Sequence, residues 1–136
     1  MKIIIDSNIF IVCLNPLSSY NSVFTSLVKG KYKLCVSTDI VFEYYEIFNQ
    51  KFNGAKADSI SRFLVEANHV IDTQVYYKWN LITVDPDDNK FVDCAIAANA
   101  DYIVTNDKHF NIIKDIAFPK VNCITIEEFM DILKAL

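Results

Sequence analysis

The sequence predicts an α/β protein built on a central, mostly parallel β-sheet of four to five strands, with helices on both faces. Short apolar runs rich in β-branched residues alternate with longer helical patterns along the 136 residues, which is typical of strand–helix–strand units. Two of these runs, residues 3–5 and Tyr102–Val104, are continuously apolar, as expected of strands that are buried on both sides.

Capping and breaker residues set the bounds of the predicted elements. Asn15-Pro16 ends the first helix and Gly30 ends the second. Ser37 or Thr38 caps the third helix. The predicted strands are Lys2–Ile5, Lys33–Val36, 69–71, Tyr102–Val104 and 122–124. The predicted helices are 8–14, 22–29, 38–51, 55–67, 88–99 and Ile126–Lys134.

Two further segments complete the chain. Thr125 and Glu128 form a capping-box pattern at the start of the last helix. Residues 72–87 have a mixed pattern, and a helix followed by a loop is expected there. No internal repeat or low-complexity tract interrupts the alternation, so we expect one domain over residues 1–136.

Composition and charge limit the class of protein. Hydrophobic residues make up 52% of the chain, which is enough for a packed core and excludes disorder. The net charge of −4 argues against nucleic-acid binding through a broad basic face, but permits an enzyme that reaches nucleic acid through bound cations. The four cysteines are scattered without a CxxC pair, and no apolar run is long enough to span a membrane. We therefore expect a cytoplasmic protein.

Four acidic residues are expected at the carboxyl edge of the sheet, where α/β proteins bind ligands. Asp6 directly follows the first strand, and Asp107 follows Tyr102–Val104 after two residues. Glu43 lies about one turn into the helix after the second strand. Asp93 lies in the helix before Tyr102–Val104, and that helix must start at the same edge because it runs antiparallel to the strand.

The helical acids both lie on apolar stripes. Glu43 shares a face with Ile40 and Ile47, and Asp93 shares one with Ile96. No lysine or arginine is an obvious partner for either acid, and buried charges are costly unless they are paired or bound to metal. Clustered carboxylates suit Mg²⁺ or Mn²⁺. The pattern therefore predicts a site for one or two such ions, able to activate water against a phosphate.

Each acid also has an ordinary structural explanation when it is taken alone. Asp6 and Asp107 could be turn or capping residues, and Glu43 could cap a helix or form an ion pair. Asp93 could be an acid in the first turns of a helix, favoured by the helix dipole. The metal-site hypothesis therefore depends on the four acids being found together.

Three segments carry a resemblance to a known family. They are "IIIDSNIFI", "LCVSTDIVFEYYEIF" and "DPDDNKFVDCAIAANADYIVTNDKHF". In this order they resemble the PIN domain family, and specifically its toxin-like (VapC-like) ribonuclease branch. The resemblance covers nearly the whole chain and implies a single PIN-like domain with a central parallel sheet.

The resemblance also implies roles for individual residues. The metal-binding and catalytic acids would be Asp6, Glu43, Asp93 and Asp107. The residues that orient these carboxylates or a bound water would be Asn8, Thr105 and Asn106, with Thr105 the more structural of the three. Asp88 could contribute through water, although a helix N-cap role is favoured. Asp85 and Asp87 are interpreted as loop acids, and His109 as a surface residue outside the site.

The implied activity is Mg²⁺- or Mn²⁺-dependent endoribonuclease cleavage of single-stranded RNA, by in-line attack of water and without a covalent protein intermediate. A protein antitoxin and a homodimer are the implied partners. Lys90, Lys108 and Lys114 flank the site segments and could steer RNA, but ordinary solvated lysines are the favoured interpretation.

Two alternatives remain open from the sequence. The first is another magnesium-dependent phosphoryl-transfer enzyme, such as a phosphatase, in which Asp6 would be the nucleophile. The segment Asp6-Ser7-Asn8 lacks the second aspartate that such enzymes usually carry. The second alternative is a non-catalytic interaction module with the same fold, which would have no need of four inward acids.

Overall fold

Five short parallel strands form one sheet in the computed structural model, which describes residues 1–136. The strands are β1 (Lys2–Ile5), β2 (Lys33–Val36), β3 (Val70–Asp72), β4 (Tyr102–Val104) and β5 (Cys123–Ile124). Their order in the sheet is β3-β2-β1-β4-β5, and every pairing is parallel. The predicted parallel sheet is confirmed, with five strands and β1 at its centre.

Helices cover both faces of this sheet. They are α1 (Ser7–Cys13), α2 (Asn21–Val28), α3 (Thr38–Lys51), α4 (Gly54–Glu66), α5 (Asn89–Ala98) and α6 (Ile126–Lys134). Successive side chains of a strand point to opposite faces, yet Ile3, Ile4 and Ile5 are all fully buried. The fold class predicted from the apolar strands is therefore confirmed. No helix is both long enough and apolar enough to cross a membrane.

Most predicted bounds agree with the structure to within a residue or two, and the capping signals act as expected. The Ser37 side chain accepts a hydrogen bond from the Ile40 N–H at the start of α3. Thr125 and Glu128 form the full capping box of α6, with the side chain of each accepting from the backbone N–H of the other. These caps satisfy N–H groups that the first helical turn leaves unpaired.

The segment between β3 and α5 differs from the prediction. Residues 73–85 form an irregular loop rather than a helix, and a short 3₁₀ helix, Pro86–Asp88, leads into α5. The buried Asn89 side chain accepts from the Ile82 N–H and donates to the Ile82 carbonyl, both at 2.8 Å. Since Asn89 satisfies this backbone, the loop can pack beside α5 without a helical hydrogen-bond ladder. A second unpredicted 3₁₀ helix, Lys108–Asp115, follows β4.

An aromatic cluster joins α3 to the carboxyl end of β1. The rings of Phe10 and Tyr44 lie 4.7 Å apart between centroids, and the Tyr44 and Phe48 rings stack at 6.1 Å. The fully buried Tyr44 hydroxyl donates a hydrogen bond to the Ile5 carbonyl, one residue before Asp6. Tyr44 therefore fixes the helix that carries Glu43 to the strand end that carries Asp6.

We expect Tyr44→Phe to lower the free energy of unfolding by about 1–2 kcal/mol, because a buried hydrogen bond to the Ile5 carbonyl is lost while the ring remains. Urea unfolding followed by circular dichroism measures this. Tyr45→Phe is the matched control on the same helix, since the exposed Tyr45 hydroxyl makes no hydrogen bond within the protein. Equal stability of the two variants would contradict this role of Tyr44.

Candidate metal centre

Asp6 and Asp107 meet at the carboxyl ends of β1 and β4. The Asp6 N–H donates to the Val104 carbonyl at 3.0 Å, which continues the pairing of the two strands past their ends. The buried Thr105 hydroxyl donates to Asp6 Oδ2 at 2.9 Å and accepts from the Asp107 N–H at 3.0 Å. Thr105 therefore bridges the two acids, as predicted for a residue that supports the carboxylates.

Asp107 begins the 3₁₀ helix after β4 and brings His109 into the same region. Asp107 Oδ1 accepts from the His109 N–H at 2.9 Å and lies 3.4 Å from His109 Nδ1. The same Nδ1 atom is 3.2 Å from Asp88 Oδ2 and 3.9 Å from Asp85 Oδ2. The interpretation of His109 as a surface residue outside the site is therefore wrong, because its imidazole lies among three carboxylates.

Glu43 projects from α3 and is held by two partners. The Ser7 hydroxyl donates to Glu43 Oε2, and Lys90 Nζ lies 2.7 Å from Glu43 Oε1. Glu43 was expected to lack a basic partner, and this expectation is wrong because α5 delivers Lys90 from a distant part of the sequence. Lys90 is correspondingly half-buried and paired, and not the solvated lysine that the sequence favoured.

Asp88 lies at the start of α5 with its carboxylate turned toward the site. It is buried and occupies the N-cap position, but its side chain makes no capping hydrogen bond. Its backbone is already helical, with φ −73° and ψ −17°, whereas a capping side chain needs an extended backbone. The Asp88 side chain therefore does not cap the helix, which was the favoured prediction. It hydrogen-bonds with His109 instead.

The electrostatics show that three carboxylates act on that of Asp6. Burial raises the pKa of the Asp6 carboxyl to about 6, and three neighbouring carboxylates add to that rise against the hydrogen bond from Thr105. These neighbours are Asp88, Asp107 and Glu43. Burial also raises the pKa of Asp88, with further repulsion from Asp107 and Asp85 and an opposing hydrogen bond from His109. The acids are therefore crowded enough that their charges are costly.

Asp93 lies apart from this group. The Asp93 Oδ1 atom accepts from the Trp79 N–H at 3.0 Å, and Asp93 lines a separate polar cavity with Lys78 and Asn80. Burial raises its pKa, the Trp79 hydrogen bond and Lys78 lower it, and none of the four clustered acids acts on it. The inward position of Asp93 was correctly anticipated, but its observed partner is a backbone amide of the loop 73–85. Its predicted role as a metal ligand stays a prediction.

The predicted supporting asparagines take different positions. Asn8 is exposed and hydrogen-bonds to none of the acids, although it lines a cavity of about 250 Å³ together with Asp6 and Asp107. Asn106 lines the same cavity, and its Oδ1 accepts from the Ile126 N–H at 3.3 Å, which ties it to the start of α6. The side chain that supports Glu43 is instead Ser7, the residue between the two positions of the Asp-x-Asn motif.

The donor set of this cluster fits a divalent cation. One ligand atom each of Asp85, Asp88 and His109 lies within 4.8 Å of the other two, and Asp107 contacts the same imidazole. The charges of Asp88 and Asp107 also act on the buried Asp6 carboxyl. Carboxylate oxygens are the ligands that Mg²⁺ and Mn²⁺ prefer, and a cation would offset both the burial and the repulsion that raise the pKa values of Asp6 and Asp88.

Three residues of the site were missed or misplaced from the sequence: Ser7, Lys90 and His109. Ser7 follows Asp6 directly, and its orientation toward Glu43 depends on how α1 meets α3. Lys90 and Glu43 are 47 positions apart, so no local spacing pairs them. Only His109 had a signal in the sequence. A capping aspartate accepts a hydrogen bond from the backbone N–H two residues further on, and that position is His109.

The chain belongs to the PIN domain family. The model of this family, described as "PIN domain", matches residues 2–109. The matched stretch includes β1 to β4 and every carboxylate of the cluster. Comparison with curated protein sequences found no match.

Solved structures share the fold at low sequence identity. The crystal structure of VapBC2 from Rickettsia felis, bound to a DNA fragment from their promoter, contains a similar chain at 18% identity and a TM-score of 0.61, covering 92% of this chain and 98% of that chain. FitAcB from Neisseria gonorrhoeae is similar at 15% identity and a TM-score of 0.57, with the same coverages. The RRP44 PIN domain from T. brucei is similar at 15% identity and a TM-score of 0.54, covering 98% and 80%. At these identities the similarity is one of fold.

The raised pKa of Asp6 has a consequence for stability. The pKa of this carboxyl rises from 3.8 to about 6 on folding, so the folded protein holds the proton more tightly than the unfolded chain. The free energy of unfolding therefore falls as the pH rises from about 4 to 6. Without metal, we expect Asp6→Asn to increase the free energy of unfolding at pH 7.5 by up to about 3 kcal/mol. The gain should shrink as the pH falls below about 6 and vanish below about pH 4.

Urea unfolding in EDTA at pH 4, 5 and 7.5 measures this difference. Asp58→Asn is the control, because Asp58 is exposed on α4, which contributes no residue to the cluster. A stability gain for Asp6→Asn that stays constant over this pH range would contradict a raised pKa of Asp6.

Proposed function

We propose that this chain is a divalent-cation-dependent endoribonuclease that hydrolyses phosphodiester bonds of single-stranded RNA. We further propose that residues 1–136 act as one PIN domain and serve as the toxin of a toxin–antitoxin pair. The observation that carries the proposal is that Asp88, Asp107 and Glu43 lie close enough to Asp6, at the carboxyl edge of a PIN-family sheet, for their charges to act on it. A fold without a metal site would gain nothing from holding these charges together.

The proposed ligands are Asp6, Asp107 and Glu43, as the sequence predicts, with Asp88 in the position for which the sequence favoured Asp93. We prefer Asp88 because its charge acts on Asp6. The Asp93 carboxylate instead accepts a hydrogen bond from the Trp79 N–H. The ions that fit are Mg²⁺ or Mn²⁺, one or two in number.

The chain's own residues have separate tasks in this proposal. Thr105 orients Asp6 and Asp107 together, and Ser7 with Lys90 holds Glu43 in one rotamer. His109 Nδ1, 3.2 Å from Asp88, is placed to hold or release a proton beside the acids. When bound, a divalent cation supplies Lewis-acid polarisation of the phosphodiester and stabilises charge that develops in the transition state.

The partners in this proposal rest on the toxin-like motifs of the sequence and on similarity in fold. The similar structures include VapBC2 solved with a promoter DNA fragment and FitAcB. From these we infer a protein antitoxin as the cognate partner and a homodimer as the assembly. Light scattering of the purified chain tests the dimer by its molar mass, since the monomer has a mass of 15.6 kDa.

The central experiment is cleavage of labelled single-stranded RNA by the purified protein in EDTA, in Mg²⁺ and in Mn²⁺. We expect cleavage only with a divalent cation. The absence of cleavage, together with no Mn²⁺ binding by calorimetry, would overturn the nuclease and favour the interaction module. Phosphate release from a small phosphomonoester, without RNA cleavage, would favour the phosphatase alternative.

Asp88→Asn and Asp93→Asn separate the two ligand sets under the same conditions. We expect Asp88→Asn to lower kcat/KM by at least about a hundredfold and to weaken Mn²⁺ binding, because a proposed ligand loses its charge. Asp93→Asn should change both less than about tenfold, since an asparagine oxygen can still accept from the Trp79 N–H. The reverse order of effects would restore Asp93 as the ligand.

A further inference from the structure

A continuous path of three cavities leads from the acid cluster along the open edge of β5. The cavity lined by Asp6 and Asp107 shares Asn106 and Asp107 with a second cavity beside the 3₁₀ helix after β4. The second cavity shares Lys114 and the residues of β5 with a third, at the amino end of that strand. We call this surface the β5 path and define it by Asn106, Lys108, Asn111, Lys114, Lys120 and Asn122.

The charge of the β5 path is opposite to that of the site where it begins. Its three lysines are exposed and make no ion pair within the protein. Asp107 is the one acid among the residues that line its second and third cavities. Lys114 is central, because its charge acts on both Cys123 of β5 and Glu128 of α6. The Glu128 carboxylate already accepts a hydrogen bond from the Thr125 N–H, and the Glu128 N–H donates to the Thr125 hydroxyl. The path is thus a local basic strip on a protein of net charge −4.

We propose that the β5 path binds the phosphate backbone of single-stranded RNA on one side of the cleaved bond. This inference rests on the proposed nuclease function and names how its substrate approaches the acids. Lysines spaced along a groove contact successive phosphates, and amide side chains such as Asn111 and Asn122 donate to phosphate or sugar oxygens. Lys90 takes no part, because it is committed to Glu43.

The features of the path favour RNA over an acidic protein segment. The second cavity is lined mainly by lysine, asparagine and threonine side chains, whereas the apolar residues of the third, Tyr102, Val121, Cys123 and Ile124, belong to or flank β4 and β5. The path also ends on the carboxylates Asp6 and Asp107, which repel an acidic peptide but which a cation makes attractive to a phosphate. The occupant that satisfies both ends of the path is therefore a nucleic-acid strand that reaches the cation.

Lysines beside an edge strand have a second ordinary use, which is to prevent association of sheets edge to edge. Substitution by glutamate separates the two roles, because glutamate keeps the edge charged while reversing its attraction for phosphate. The test variant is Lys114→Glu with Lys120→Glu. The matched control is Lys29→Glu with Lys31→Glu, two exposed lysines before β2 at the amino edge of the sheet.

Binding of a fluorescent 12-nucleotide single-stranded RNA is measured by anisotropy in EDTA, where no cleavage occurs, over a range of salt. We expect the test variant to bind at least about tenfold more weakly and to lose about two units of the slope of log K against log salt. The control should stay within about twofold of the unchanged protein. Circular dichroism and thermal unfolding verify that both variants fold.

Several results would overturn the β5 path. They are an equal loss of affinity in test and control variants, no RNA binding by the unchanged protein, and equal displacement of RNA by poly-aspartate and by unlabelled RNA. If the unchanged protein and the test variant both cleave RNA with Mn²⁺ at the same KM, the proposed nuclease activity stands and the β5 path is wrong. If RNA binding depends on the lysines but no cleavage occurs, the β5 path stands and the proposed nuclease activity is wrong.

Discussion

Repulsion among carboxylates at the carboxyl edge of the sheet is the constraint on which this structure depends. Asp6 is buried at the end of β1, and Glu43, Asp88 and Asp107 approach it from three other elements. A parallel sheet places the carboxyl ends of its strands at one edge, but it does not neutralise the acids found there. The contacts made by each carboxylate therefore explain the local structure.

Each carboxylate has a partner that fixes it without removing it from the cluster. Thr105 hydrogen-bonds to Asp6, Lys90 pairs with Glu43, and His109 lies between Asp88 and Asp107. Because these partners orient the acids and only partly offset their charge, the metal-free protein retains an unfavourable electrostatic energy. Such stored energy at a site is typical where function is retained at the expense of stability.

The sequence was sufficient to predict the fold and most of the acids at the carboxyl edge of the sheet. Continuous apolar runs predicted β1 and β4, and the caps Ser37 and Thr125 predicted the starts of α3 and α6. Asp6 and Asp107 could be placed together because a strand fixes the position of the residue that follows it. Partners that cross between elements, such as Lys90 with Glu43, could not be predicted, since they depend on how helices pack.

The choice between Asp88 and Asp93 shows where sequence reasoning reaches its limit. Both acids lie at the edge end of α5, but Asp93 is five residues further on, about 7.5 Å along the axis and about 140° around it. The apolar stripe of this helix indicated an inward position for Asp93, and the place of Asp88 just before the helix indicated an ordinary capping role. Only the path of loop 73–85, which brings the Trp79 amide to Asp93, explains that buried charge without a metal.

A crystal structure of the protein with Mn²⁺, with the ion located by its anomalous scattering, tests the metal site most directly. We expect a peak within coordination distance, about 2.0–2.3 Å, of carboxylate oxygens from Asp6 and at least one of Asp88 and Asp107. A peak coordinated by Asp93 alone, or no peak at this edge at saturating Mn²⁺, would contradict this expectation.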